Sequence, residues 1–197
     1  RQRFPRARFH FYGDESRIGP LISGLGDLAR VSHIHHTDRE IKADDKPSAA
    51  VRSGRGSSMW MACDAVRENR AAGVVSAGNT GAFMGIAKFL LKTLPGIDRP
   101  AICSFFPTLR GESCMLDLGA NVDCDADNLV QFAVMGEAFS RTILGVIEPT
   151  IGLLNVGSEE MKGHEAVRDA AAVLRSGRMP GLFHGFVEGD DIVKGTV

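Results

Sequence analysis

Aromatic side chains are scarce in this sequence, at 7% overall, with one Trp and one Tyr among 197 residues. Cysteine is sparse too. Cys63, Cys103, Cys114 and Cys124 form no C-x-x-C pair, and no histidine stands at metal-finger spacing beside them. That argues against a disulfide framework or a zinc finger. Cys63, Cys103 and Cys114 have apolar neighbours, the pattern of buried thiols in a reduced, cytosolic chain. An excess of one charge is also missing: 23 Lys and Arg oppose 24 Asp and Glu, for a net charge of −1. This balance gives no support to a nucleic-acid partner. With 44% apolar residues, the composition does not fit a disordered chain either. No apolar run approaches the roughly 18 residues of a membrane-spanning helix. Arg1, Arg3, Arg6 and Arg8 make a basic start, but no apolar signal core follows.

What is present is an alternation of short apolar strands and longer helical stretches. Arg8–Tyr12 reads as a strand, Glu15–Leu25 as a helix weakened by Pro20 and Gly24, and Val31–His36 as a second strand. Thr37–Ser48 reads as a loop. Ser57 or Ser58 can cap a helix to Asn69, with Met59, Ala62, Cys63 and Val66 on one face. Gly73–Ser76 reads as a strand, and Thr80–Leu94 as a helix so apolar that it should be mostly buried. Ala101–Phe106 and Ser113–Leu118 flank a turn, and Asp125–Ile143 is helical. Thr150–Asn155 is a strand, Ser158–Ser176 a helix, and Phe183–Glu188 a closing strand. The expected fold class is α/β: one domain over residues 1–197, three layers, with a mostly parallel sheet covered on both faces. Both ends read as cuts in a longer catalytic domain.

Three strand exits share one design. Ser76-Ala77-Gly78-Asn79-Thr80-Gly81 follows the first, Asp117-Leu118-Gly119-Ala120-Asn121 the second, and Asn155-Val156-Gly157 the third, with Lys162 just beyond. In an open parallel sheet such turns line the carboxyl edge, where ligands bind. Gly78 and Gly81 let backbone N–H groups approach an anion, and the helix beginning at Thr80 adds partial positive charge. Ser76, Asn79 and Thr80 add short donors, and Lys162, read as one turn into its helix, adds a full charge. The loop is neither G-x-G-x-x-G nor a Walker loop, and a purely structural turn remains open on these residues alone.

Taken together, the stretches VVSAGNTGAFMGIAKFLLKTLPGIDRPAI (Val74–Ile102), LDLGANVDCDADNLVQFAVMG (Leu116–Gly136) and GLLNVGSEEMKGHEAVRDA (Gly152–Ala170) resemble the phosphate acyltransferase family of bacterial phospholipid synthesis, the PlsX family. Lys46–Met59 also looks like the family's loop before the first long matching helix. The resemblance runs from about Phe9 to the end. The family's Asp-x-Met-Gly-Gly-Asp and Asp-Gly-Phe-x-Gly-Asn turns are absent, so the chain looks like a central fragment.

The resemblance implies transfer of a fatty acyl group from acyl carrier protein to inorganic phosphate, without a cofactor or metal. It implies a fold similar to isopropylmalate dehydrogenases and phosphotransacetylases, a homodimer, and acyl phosphate passed to a membrane glycerol-3-phosphate acyltransferase. The implied location is cytoplasmic, with peripheral contact at the inner face of the membrane as an option. On this reading Lys162, Asn79 and Asn121 are the catalytic candidates. Ser76, Gly78, Thr80, Gly81, Asp117, Gly119, Asn155 and Gly157 bind phosphate or substrate. Within these, Asp117 orients turn N–H groups rather than serving as a base.

Rival readings are a short-chain phosphotransacetylase, a nicotinamide-dependent dehydrogenase (its G-x-G-x-x-G turn is absent), and a non-catalytic fragment. Plainer readings attach to individual residues: Lys162 as a solvated helix residue, and Asp117 and Asn121 as turn formers. Lys46, Arg52 and Arg55 read as a solvated loop or a contact for the acidic carrier or phosphate. His33 and His35 share a strand face without a further ligand nearby, so with His36 they read as solvated or edge-strand residues. Cys103 or Cys124 as an acyl-accepting nucleophile lacks a His or acid partner fixed by the sequence. Phe105 and Phe106 read as core or acyl-tunnel residues.

Overall fold

Phe9–Gly13 (β1) and Ser32–His36 (β2) pair in parallel, Phe9 opposite Ser32 and Gly13 opposite His36. The helix between them, α1 (Glu15–Ser23), is capped by the Asp14 carboxylate, which accepts from Ser16 N–H, and Pro20 is accommodated inside it. Pro47–Ser53 (α2), Ser58–Arg67 (α3) and Thr80–Leu91 (α4) follow. In this computed structural model, residues 4–177 and 181–197 are described. Arg1 and Arg3 of the basic start lie outside them. The chain forms two compact units, Arg1–Thr93 and Leu94–Val197.

The first unit is held by a core of Ala50, Met59, Cys63, Ala82, Ile86 and Leu90, contributed by α2, α3 and α4. Ile86 is completely buried, worth about 1.5–3 kcal/mol over its exposed state. Ser57 caps α3 by accepting from Trp60 N–H. On α3 the buried face is Met59, Cys63 and Ala65, shifted from the expected stripe because Ala62 and Val66 are only half-buried. The helices α2 and α4 meet at two glycines. A Cβ on Gly81 would lie 2.8 Å from Pro47 Cγ, and one on Gly85 2.9 Å from Val51 Cγ2.

In the second unit, Cys103–Thr108 (β3) and Gly111–Leu116 (β4) form an antiparallel hairpin. Ala126–Phe139 (α5) is capped by Asp125 and runs into a wide turn, Ser140–Leu144, that ends at Gly145 with φ 71°. Thr150–Leu154 (β5) and Leu182–Val187 (β6) pair in parallel, and Glu165–Arg175 (α6) connects them. Gly189–Lys194 (α7) closes the chain with a capping box between Glu188 and Asp191. The core is Val130, Leu153, Ala170, Ala171, Leu174 and Phe186. Ala170, Ala171 and Leu174 are the face expected of α6.

Among the described residues the strands form three two-stranded ladders, two parallel and one antiparallel. Several local expectations change. Gly73–Ser76 forms no ladder: Val74 packs against the first core while Val75 is 98% exposed, so the alternation is kept but no neighbouring strand supplies hydrogen bonds. Helix α4 ends at Leu91, not Leu94, where Lys92 turns to φ 66°. Only its Ala82–Ile86–Leu90 stripe is buried, and Phe89 is 51% exposed, because α2 and α3 cover one side alone. Helix α6 begins at Glu165 rather than Ser158. Gly163 at φ 85° breaks the run, so Lys162 stands in a loop and not in a helix. Helix α2 takes over the end of the expected loop, since Pro47 suits a first helical turn. Helix α7 carried no clear periodicity.

Candidate functional site

In the first unit, Asn79 is fully engaged. Its Oδ1 accepts from Ala82 N–H at 2.9 Å, capping α4. Its Nδ2 donates to the carbonyls of Lys42 (3.3 Å), Ala43 (3.0 Å) and Asp45 (2.9 Å), pinning the loop before α2. Gly78 N–H donates to Ser76 Oγ, a small turn that aims the chain into the helix. Phe83 N–H is taken by the Asn79 carbonyl. The N–H groups of Thr80 and Gly81 have no protein acceptor among the described residues. Two free donors at a helix N-terminus, beside the Ser76 and Thr80 hydroxyls, suit an anion. Gly81 is also required by packing, since the Pro47 ring occupies the place of a Cβ.

In the second unit, the turn after β4 is organised by one carboxylate. Asp117 Oδ1 accepts from Ile102 N–H (3.4 Å) and Ala120 N–H (3.2 Å), and Oδ2 accepts from Asn121 N–H and Nδ2, both at 3.0 Å. Asn121 Nδ2 also donates to the Pro100 carbonyl. Gly119, at φ 77°, lets the turn close. These contacts use Asp117 as an organiser of N–H groups.

The turn after β5 is held by Asn155. Its Nδ2 donates to the Lys162 carbonyl at 3.0 Å, and its Oδ1 accepts from Val156 N–H at 2.9 Å. A Cβ on Gly163 would overlap Asn155 Oδ1, and one on Gly157 would press on Glu159 Oε2. Arg168 NH1 donates to the Gly163 carbonyl. This frame leaves Lys162 about half exposed, with Glu159 3.8 Å away, a loose ion pair that leaves the ammonium available. A cavity of about 510 Å³ lies within this unit, lined by Asp117 and Asn121 from one turn, by Leu154 and Val167 flanking the other, and by Cys114 and Leu153.

The other candidates separate. Burial pushes the Cys63 thiol up to about 11 and also raises that of Cys124, so neither is poised as a thiolate nucleophile. Cys103 and Cys114 lie with sulfurs 3.1 Å apart, a contact that sequence spacing did not reveal because it depends on hairpin register. His10 joins His33 and His35: its ring stacks on both, and its Nδ1 is 2.8 Å from His35 Nε2. Partial burial, then repulsion from His10, lowers the His35 pKa. Among the described residues, no group of three or more ligating side chains is arranged to hold a metal. Arg52 lies on α2, with its Nε on the Ser48 carbonyl. Phe105 and Phe106 are partly exposed, and Phe105 packs 5.5 Å from Phe139. No described helix is long and apolar enough to cross a membrane.

A family described as fatty acid synthesis protein matches residues 1–197. The chain belongs to that family. Among its relatives is a phosphate acyltransferase of Rhodospirillum centenum, 64% identical over all of this chain and 56% of the relative. The phosphate acyltransferase of Rhodospirillum rubrum is 59% identical with the same coverage. The chain thus spans about half the length of the curated relatives it matches. These matches bear out the resemblance to the phosphate acyltransferase family. Among solved structures, the EutD phosphotransacetylase from Staphylococcus aureus is similar with a TM-score of 0.60 at 19% identity, covering 90% of this chain and 59% of that one. The fold class is therefore α/β of the phosphotransacetylase-like kind.

Proposed function

We propose that this chain is the central part of a longer catalytic domain that transfers a fatty acyl group from acyl carrier protein to inorganic phosphate. The observation that carries this reading is the pair of free N–H donors at Thr80 and Gly81, within a chain 64% identical to a phosphate acyltransferase. Phosphate is already an oxyanion nucleophile, so the reaction needs positioning and charge stabilisation more than a base. One phosphate oxygen attacks the thioester carbonyl carbon. The carbonyl electrons move to oxygen, then return as the C–S bond breaks, giving acyl phosphate and a carrier thiolate that takes a proton from water. The leaving group is tolerable because a thiol ionises near pH ~8.5.

The roles follow the available atoms. Ser76, Gly78, Thr80 and Gly81 hold phosphate or the tetrahedral oxyanion through N–H and hydroxyl donors. Asn79 acts by capping α4 and pinning the loop before α2, and Asn121 by fixing the Asp117 turn of the second unit, roles closer to positioning than to direct contact. Lys162, half exposed in the second unit, offers a positive charge to an anionic substrate group. Asp117, Gly119, Asn155 and Gly157 shape the second-unit turns. The acyl phosphate goes on to a membrane glycerol-3-phosphate acyltransferase, and the protein works as a cytoplasmic homodimer with peripheral membrane contact. A short-chain acyl substrate is the second reading, favoured by the fold shared with a phosphotransacetylase.

The test is phosphate-dependent release of free carrier thiol from long-chain acyl carrier protein, by this chain and by the full-length protein. Release by the full-length protein, absent without phosphate, is expected. Preference for acetyl donors supports the second reading, and no release from either donor overturns both. Lys162→Ala should cut turnover by about tenfold or more while moving stability by less than about 0.5 kcal/mol, as for an exposed residue. Unchanged turnover removes Lys162 from the mechanism.

A further inference from the structure

The hairpin β3–β4 brings two distant thiols together on one face. Cys103 pairs with Leu116 and Phe105 with Cys114, so all four side chains point to the same side. That side is covered by α5: Phe105 packs on Phe139, and Leu116 lies against Gly136. The two sulfurs stand 3.1 Å apart, in thiol–thiol hydrogen-bond contact and not covalently joined. A disulfide bond is about 2.05 Å long, so bonding requires the sulfurs to close by only about 1 Å. Both residues are half-buried, and Cys114 lines the cavity of about 510 Å³. A water molecule occupies about 30 Å³, so a peroxide of similar size has room to reach Cys114.

We propose that Cys103 and Cys114 are an oxidative modification site, a dithiol that hydrogen peroxide converts into an intrachain disulfide across β3–β4. Burial, then the hydrogen bond with Cys103, pushes the Cys114 thiol up to about 12, so Cys114 keeps its proton at neutral pH. Either thiol can attack the peroxide first, here Cys103. Its sulfur takes one peroxide oxygen, giving a sulfenic acid and one water. The Cys114 sulfur then attacks the Cys103 sulfur. The S–O bond breaks, and the departing hydroxyl leaves as a second water with the Cys114 proton. Two thiols have lost two electrons and two protons, and the peroxide has taken them up. A small thiol reverses the change by exchange. The modified strand runs directly into Asp117, so the cross-link fixes the segment that feeds the Asp117–Asn121 turn. The modification does not depend on the proposed acyl transfer.

The test uses the whole chain carrying Cys124→Ser, oxidised with hydrogen peroxide at neutral pH, alkylated, and cut with trypsin. Cleavage after Arg110 separates the two cysteines, and with Cys124 removed the downstream peptide holds Cys114 alone. The expected result is a chain lighter by about 2 Da that yields one linked pair of peptides, reversible with a small thiol. The link should also form in the unsubstituted chain and vanish in Cys103→Ser. Sulfinic acids at either residue without a link, a link through Cys63, or two freely alkylated thiols after oxidation would each overturn the proposal. Circular dichroism before and after oxidation keeps an unfolded variant from counting.

Discussion

Replacing Gly81 with Ala separates two reasons for that glycine. In an open helix position the change stabilises by about 0.8–1 kcal/mol, less in the first turn, through helix propensity. Here the new Cβ meets Pro47 Cγ at 2.8 Å, and a proline ring cannot rotate away. Ordinary carbon contacts lie near 3.5–4.0 Å, so α2 or α4 must retreat by about 1 Å. Overpacking of this kind costs about 1–3 kcal/mol. The net expectation is a loss of about 0.5–2.5 kcal/mol, which moves a urea midpoint down by roughly 0.3–1 M for a typical slope. The single tryptophan, Trp60, sits on α3 and packs 5.7 Å from Phe89 on α4, so its fluorescence reports this unit directly. Pro47→Ala in the Gly81→Ala background should recover most of the loss, because it removes the ring that the Cβ strikes. If Gly81→Ala raises the midpoint instead, the packing argument is wrong. If the double variant is stable yet phosphate-dependent turnover stays low, the glycine also serves the anion.

Gly163→Ala should destabilise the β5–α6 loop by about 2 kcal/mol or more, from a left-handed backbone and the overlap with Asn155; faster tryptic cleavage after Lys162 is the readout, and an unchanged rate contradicts the latch. Asp117→Ala should cost about 2–4 kcal/mol by stranding the N–H groups of Ile102, Ala120 and Asn121, seen as a lower thermal midpoint and faster amide exchange at Asn121. Cys63, with its thiol pushed by burial from an ordinary 9.0 up to about 11, should react slowly with a thiol reagent at pH 8 in the native chain and quickly in denaturant. The sign is fixed: the folded state favours the neutral thiol, so this stabilisation is complete below pH 9 and is lost as pH rises from 9 toward 11. A native reaction rate equal to the denatured rate removes the burial argument.

Much of the architecture is readable from local signals. Asp14, Ser57 and Asp125 each precede an apolar-periodic run, and each caps the helix expected there. The α6 stripe of Ala170, Ala171 and Leu174 follows from helical period alone. Gly73–Ser76 shows the limit of such signals. A short apolar run states a preference for extended backbone, but a strand also needs a neighbour, and among the described residues none supplies a ladder here. The run before α6 misleads for a different reason. Residues 158–164 have helical composition, yet Gly163 and the Asn155 side chain fix a turn that keeps Lys162 out of the helix.

The candidate site divides in the same way. The strand-exit turns, their glycines and their Asn and Asp side chains were visible because short-range chemistry confines those residues to turns and caps. Their individual tasks were not visible. Asn79 looked like a donor to an anion, and its donors in fact hold the carbonyls of residues 42, 43 and 45, more than 30 positions away in sequence. Gly81 looked like an anion cradle and is also the seat of Pro47. The pairing of Cys103 with Cys114, and the stacking of His10 on His33 and His35, depend on strand register. The sequence by itself determined most of the element order, the caps at Asp14, Ser57 and Asp125, and the family, since these rest on contacts within a few residues or on residue identity along the line. Tertiary structure alone decided which donors stay free, which glycines are packing sites and which thiols meet, since those depend on distances between segments far apart in the chain.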